Sequence, residues 1–250
     1  MKTEMKTNPE NNSPDCTTLY KLGGAAALVM VAIIIIQFVV FMTAPPPLEG
    51  TAVDWFRLFH TCGIIGLVNF ELLMVVYVIV SIPMSLALYM ALRKANPSLT
   101  ALFLALSMVG GMAFIAARPA FEMLYLSNGY AAAATESEKS MFLAAGQAIL
   151  AAFHGTHFHL SYILGSLTGL IISWVMLKSS IFSKRTAYVR IASSVFDFGL
   201  YIPAIGLYIS IFSVLFLLIW NLMVARRLFQ LGQKSQAVAI DLARSEPVTA

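Results

Sequence analysis

Residues 22–43 read LGGAAALVMVAIIIIQFVVFMT, and this stretch decides the fold. It runs 22 residues without a charge, with isoleucine at each position from Ile33 to Ile36. A hydrocarbon core of ~30 Å needs about 20 apolar residues in a helix. A segment in lipid must also satisfy its own backbone, which a helix does. The stretch is too long for a signal-peptide core and lacks an A-x-A cleavage site, so it is expected to stay as an anchor.

The rest of the chain shares this character. The 250 residues are 59% hydrophobic and only 11% charged, with a mean hydropathy of +0.82. A soluble domain carries about 25% charged residues. A chain this poor in charge cannot cover a globular surface with polar groups, so its outside must face lipid. Five more apolar runs follow, at 64–92, 99–117, 157–177, 188–202 and 206–225. The second is interrupted only by Glu71 and by Pro83, which predicts a kink. The fifth is short and contains Asp197. Pro203 and Gly206 punctuate a tight turn, so the last two runs read as a hairpin. The expected fold is all-α: a six-helix transmembrane bundle over residues 22–227, with tails at 1–21 and 228–250 and a frayed end at 245–250. Neither an internal repeat nor a second domain is visible.

Charge placement orients the spans. Lys2, Lys6, Lys21, Arg93, Lys94, Lys178, Lys184, Arg185, Arg190, Arg226, Arg227, Lys234 and Arg244 all fall on one side of a six-span chain. Only Arg57, Arg118 and Lys139 fall on the other. This bias puts both termini in the cytoplasm. The net charge of +4 therefore orients spans and is no sign of a nucleic-acid partner. Cys16 and Cys62 do not make a disulfide framework and lie on or near opposite sides.

Two segments on the outer side read as short amphipathic interfacial helices. Pro45–Pro47 stops the first span, and residues 54–60 then alternate charge with Trp55, Phe56, Leu58 and Phe59. Thr135 and Glu138 form a capping box ahead of 141–153, which leads into the fourth span through Gly155.

The chemistry-bearing residues gather near that outer end: His60, Glu71, Arg118, Glu122, His154, His157, His159, Asp197 and Tyr201. An ionisable group inside a span costs roughly 2.5–3.5 kcal/mol on insertion scales, so it turns to the bundle interior or to water. His60 and Glu71 share a face if the helix is continuous between them. Arg118 and Glu122 are i,i+4 neighbours, which makes Glu122 the first partner for Arg118. Glu71 and Asp197 are the cross-helix alternatives. Ser107, Gly111, Arg118, Glu122 and Tyr125 make one stripe on the third span. His157, Ser161, Gly165 and Gly169 make another at four-residue spacing, whose small residues permit close helix contact. His154 shares the His157 face, and His159 points away from both. Arg190, Ser194, Asp197 and Tyr201 line the fifth span. One reading is an ion-pair network that fixes the bundle. The other is a polar cavity that also binds or transforms something.

His154 and His157 at i,i+3 have a spacing that can share a metal. There is no H-E-x-x-H and no repeated histidine box, and paired histidines deep in the spans, as a haem would need, are missing. No G-x-S-x-G is present either. Neither a metal nor another cofactor is expected.

Several stretches resemble a family of bacterial multi-span membrane proteins, the domain-of-unknown-function family numbered four-three-eight-six. They are residues 87–99 (ALYMALRKANPSL), 119–133 (PAFEMLYLSNGYAAA), 158–166 (FHLSYILGS) and 203–232, ending in IWNLMVARRLFQLG. The likeness covers most of the chain from about residue 60. It implies the bacterial cytoplasmic membrane and directs attention to Glu122 and His159. It carries no catalytic role with it.

The function these residues suggest first is a small binding, sensing or accessory membrane protein with an outward-facing polar cavity. Its partners are membrane lipids and a small lipophilic ligand. Inverted repeats and paired broken helices, the usual transporter signs, are not evident in the sequence. The alternative is an intramembrane hydrolase or transferase acting on a lipid-like substrate, with histidines as acid–base or metal groups.

Overall fold

The computed structural model describes residues 14–203 and 205–245. Among them are ten α-helices and no strand. The helices are α1 (Pro14–Thr43), α2 (Ala52–Thr61), α3 (Gly63–Asn69), α4 (Leu72–Leu92) and α5 (Pro97–Ala116). Then come α6 (Ala120–Ala132), α7 (Glu136–Phe153), α8 (Thr156–Lys178), α9 (Lys184–Phe198) and α10 (Gly206–Ser245), with a 3-10 turn at Gly199–Tyr201. The all-α expectation holds. Five stretches are long and apolar enough to cross a membrane: Cys16–Thr43, Leu72–Leu92, Pro97–Ala132, Glu136–Lys178 and Ile209–Ala237. Their lipid-facing character is visible in Ile35, Ile36, Phe38, Met112, Trp174, Phe212 and Leu215, all large, apolar and exposed. Surfaces of this kind belong in lipid or in an interface.

At three places the helix bounds differ from the apolar runs read in the sequence. The 64–92 run is two helices, because α3 ends at Asn69 and α4 begins only at Leu72. Glu71 lies between them at φ 63, the one positive-φ non-glycine among the described residues. A left-handed residue ends a helix, and hydropathy does not report it. The 188–202 run is α9, which has 15 residues and is not among the five long apolar stretches. At 1.5 Å per residue it spans about 22 Å. Last, α10 does not stop near Ala225 but continues to Ser245. No proline interrupts that stretch, and it has packing to gain: Leu228, Gly232 and Ser235 are buried, and Lys21 Nζ donates to Gln236 Oε1 at 2.7 Å. The expected frayed end lies, beyond Ser245, outside the described residues.

The chain divides into two compact units, and α1, α4, α5 and α8 each contribute one part to either. The first, here the aromatic unit, comprises Ala32–Ile79 and Met108–Gly165. Its core is Trp55, Phe56 and Phe59 of α2 against Phe70, Ala120, Met123, Leu150 and Phe153. Trp55 meets Phe70 edge-on with centroids 5.0 Å apart, and Phe70 meets Phe153 at 4.5 Å. Such pairs add ~0.5–1.5 kcal/mol each beyond their buried area. The α2 helix is thus amphipathic as expected, but its apolar face is buried in protein. Gly66 is small because the Phe59 ring occupies the space of a Cβ. Both α2 and α7 begin in capping boxes, Thr51 with Asp54 and Thr135 with Glu138.

The second, here the hairpin unit, comprises the chain through Val31, Val80–Ser107 and Ser166 onward. The α9–α10 hairpin holds as expected. Ser193 Oγ donates to Ser213 O at 3.1 Å, and Phe196 stacks on Phe216 at 5.3 Å. Its core is Met30, Leu88, Leu92, Ile172, Met176, Val224 and Leu228. Gly169 lets α9 approach α8, since a Cβ there would strike Ser194 and Arg190. Gly165, expected to share that role, faces no atom within 4 Å of a built Cβ. On this stripe a Cβ is barred at Gly169 and not at Gly165, although α5 still comes close to α8 there: a Cβ built on Gly110 lies 3.8 Å from Ser161 O and 3.9 Å from Gly165 N.

Candidate functional site

The most polar feature of the aromatic unit is built at helix breaks. Each break frees backbone carbonyls that a continuous helix would have used. In lipid these must find partners within the protein. The α3–α4 break is served partly by Gln37 of α1, whose Nε2 donates to Val68 O at 3.1 Å. Asn69 Nδ2 donates to Ala44 O at 2.7 Å.

Arg118 serves the others. It lies between α5 and α6, next to Pro119, where proline disfavours helix for the preceding residue. Its side chain is 1% exposed. Nε donates to Glu71 Oε2 at 2.5 Å. One terminal nitrogen donates to Ala117 O at 3.2 Å and to Phe153 O at 3.4 Å. Ala117 follows the end of α5, Phe153 ends α7, and Glu71 follows the end of α3. One guanidinium therefore joins the C-terminal ends of three helices. That is where the helix dipoles favour a cation. The rings of Phe153, Phe114 and Phe158 approach the same group at 4.3, 4.5 and 5.3 Å. Cation–π contacts of this type are worth up to ~2 kcal/mol when desolvated.

Glu71 occupies the αL position that glycine usually fills. Holding a non-glycine residue there costs of order 1–3 kcal/mol. The return is a carboxylate placed on Arg118.

The remaining predicted residues are not gathered at this junction. Glu122 is exposed on α6, and the Arg118–Glu122 pairing is overturned. The i,i+4 relation needs one continuous helix, and α5 ends before Arg118. His60 is exposed, and the face it was to share with Glu71 is lost at two breaks, Cys62 and Phe70–Glu71. His154, at the C-cap of α7, is exposed, with Nδ1 3.3 Å from Leu150 O. His157 and His159, in the first turn of α8, are both exposed, and His159 packs its ring against Phe158 at 5.2 Å. Exposure therefore does not separate the two histidines, and each face turns buried further along α8, at Ser161 on one and Ser166 on the other. Asp197 and Tyr201 belong to the hairpin unit. There Ser166 Oγ donates to Asp197 Oδ2 at 3.5 Å, and Tyr201 is exposed. Among the described residues no three His, Cys, Asp or Glu side chains converge as a metal site would require.

Sequence reasoning missed a cavity of about 450 Å³ in the hairpin unit, between the α8–α9 loop and one face of α10. Met223, Arg226, Arg227 and Gln230 line it at i, i+3, i+4 and i+7. That spacing was a visible signal, but charges after an apolar run read as a membrane exit. Set beside known proteins, the chain matches no protein-family model, no curated protein and no solved structure.

Proposed function

We propose that the protein is a multi-pass membrane protein that binds or senses a ligand rather than transforming one. The observation that carries this reading is how the charge in the aromatic unit is used. Arg118 and Glu71 spend their hydrogen bonds on each other and on helix ends, while the four histidines are exposed and, among the described residues, no three His, Cys, Asp or Glu side chains converge. Catalysis needs several acid–base groups converging on one vacant point. A fixed junction beside an exposed histidine-bearing surface suits recognition instead.

The setting we propose is the cytoplasmic membrane of a bacterium, with both termini in the cytoplasm and the histidines outside. The Lys and Arg bias supports this. So does the hairpin: Gly199 lies against Ile209, and Ser183 lines a cavity with Arg226. Short as it is, α9 thus runs alongside the apolar half of α10. Reporter fusions after Lys94, Ser183 and Gln233 should score cytoplasmic, and fusions after Gly50 and Lys139 external. An external C-terminus would remove the six-span arrangement.

The functional reading is tested by reconstituting purified protein in bacterial lipid vesicles and following the lipids by mass spectrometry. The expected result is no turnover, with any co-purified small molecule recovered unchanged. A product formed by the wild type and lost in H154A/H157A/H159A would establish an intramembrane hydrolase or transferase.

A further inference from the structure

We propose that the cavity of the hairpin unit binds a phosphate group, held by Arg226 and Arg227 of α10 against the α8–α9 loop. This goes beyond the reading above and rests on a different part of the molecule. The cavity measures about 450 Å³ and is walled by Ser180, Ile181, Phe182, Ser183 and Thr186 on one side. The α10 face closes the other.

Three observations lead to phosphate. The first is charge. Lys178, Lys184 and Arg185 flank the loop that faces the two arginines, and between residues 178 and 235 the only acid is Asp197, 14 positions along the chain from Ser183. None of the residues that line the cavity is a carboxylate, whereas Arg118 has Glu71 on it. The second is preorganisation. Arg227 Nε donates to Ile181 O at 2.5 Å, and a terminal nitrogen donates to Gln230 Oε1 at 3.2 Å. The guanidinium is thus fixed at the wall, whereas Arg226 is exposed at the mouth. A guanidinium fork matches phosphate oxygens geometrically. The third is the lining, which combines hydroxyls with the apolar side chains of Ile181, Phe182 and Met223. Arginines that merely orient a span need no such hydroxyl-bearing wall opposite them.

A phosphate here has two possible sources, an anionic lipid headgroup or a soluble phosphate. The test uses the full-length protein in detergent, with native mass spectrometry of retained phosphatidic acid, phosphatidylcholine as the control lipid, and inorganic phosphate as competitor. The wild type should retain phosphatidic acid over phosphatidylcholine. At ~1 kcal/mol per basic residue, R226Q should weaken retention about fivefold and R226Q/R227Q about thirtyfold. K234Q, the same charge change on the same helix but outside the cavity, should weaken it less than about twofold. R226Q removes an exposed side chain, so its thermal midpoint should stay at the wild-type value. Displacement of the lipid only at high phosphate concentration assigns the site to headgroups. Retention of inorganic phosphate without lipid preference, lost in R226Q, assigns it to soluble phosphate. Equal weakening by R226Q and K234Q, or no weakening by either, overturns the proposal.

Discussion

The two units place arginine in opposite circumstances. In the aromatic unit, Arg118 is buried among rings and its charge is consumed by Glu71 and two carbonyls. In the hairpin unit, Arg226 and Arg227 border an open cavity with no carboxylate on it. The difference teaches where to look for function in a chain nearly empty of charge. A cation enclosed with its carboxylate holds structure together, and a cation at a cavity without one, even where backbone and amide oxygens fix it as they do Arg227, is placed to meet an anionic ligand.

The largest effect should come from breaking the enclosed charge. Removing one member of a buried pair strands the other at a cost of ~3–5 kcal/mol. Glu71 is 26% exposed, which puts the expectation at the lower end. Arg118→Ala should therefore lower the thermal midpoint in detergent by several degrees, while Lys139→Ala, in an exposed pair with Glu136, should leave it unchanged. Equal shifts would mean that Arg118 is no more enclosed than Lys139.

A smaller effect separates the glycines on α8. Gly169→Leu must displace Arg190 and Ser194, and overpacking of this sort costs typically ~1–3 kcal/mol. Gly165→Leu meets open space and should be mild by comparison in the same melting assay. The reverse ranking would sink the assigned helix face.

Smaller again is the backbone cost at Glu71. With Arg118 already replaced by methionine, Glu71→Gly should raise stability by ~1 kcal/mol, because glycine adopts positive φ freely. A loss in that background would show that Glu71 has a second partner.

The smallest effect is titratable. Hydrogen bonds from the Thr51 backbone and then its hydroxyl hold the Asp54 carboxyl below the usual carboxylate range. A lowered folded-state pKa contributes stability above the unfolded value, ~3.9, and loses it as pH falls through the folded one. The protection factors of amides at the start of α2, exchange rates taken relative to the intrinsic rate at each pH, should therefore fall in acid, and Asp54→Asn should flatten that dependence. An unchanged profile in the variant would remove the cap from the account.

Much of the fold was legible because it follows from period and caps. The ends of α5 and α8, the amphipathic α2, the Thr135–Glu138 box and the α9–α10 hairpin all carry local signals. The break at Phe70–Glu71 was not legible, since an αL residue leaves no trace in hydropathy. The exchange of Glu122 for Glu71 as partner was half legible. Pro119 marks Arg118 as a poor helix position, and that signal conflicts with the i,i+4 assumption. The length of α10 was hidden because Arg226 and Arg227 read as an exit. The cavity was hidden because its other wall comes from the α8–α9 loop.

The central claim is that Arg118 and Glu71 act as one structural unit. A double-mutant cycle with Arg118→Met, Glu71→Met and the pair, read by reversible unfolding in detergent, tests it most directly. The predicted result is that each single change is costly and the double recovers part of the loss, giving a coupling of ~1–3 kcal/mol. Additive losses, with a coupling within ~0.5 kcal/mol of zero, would contradict it.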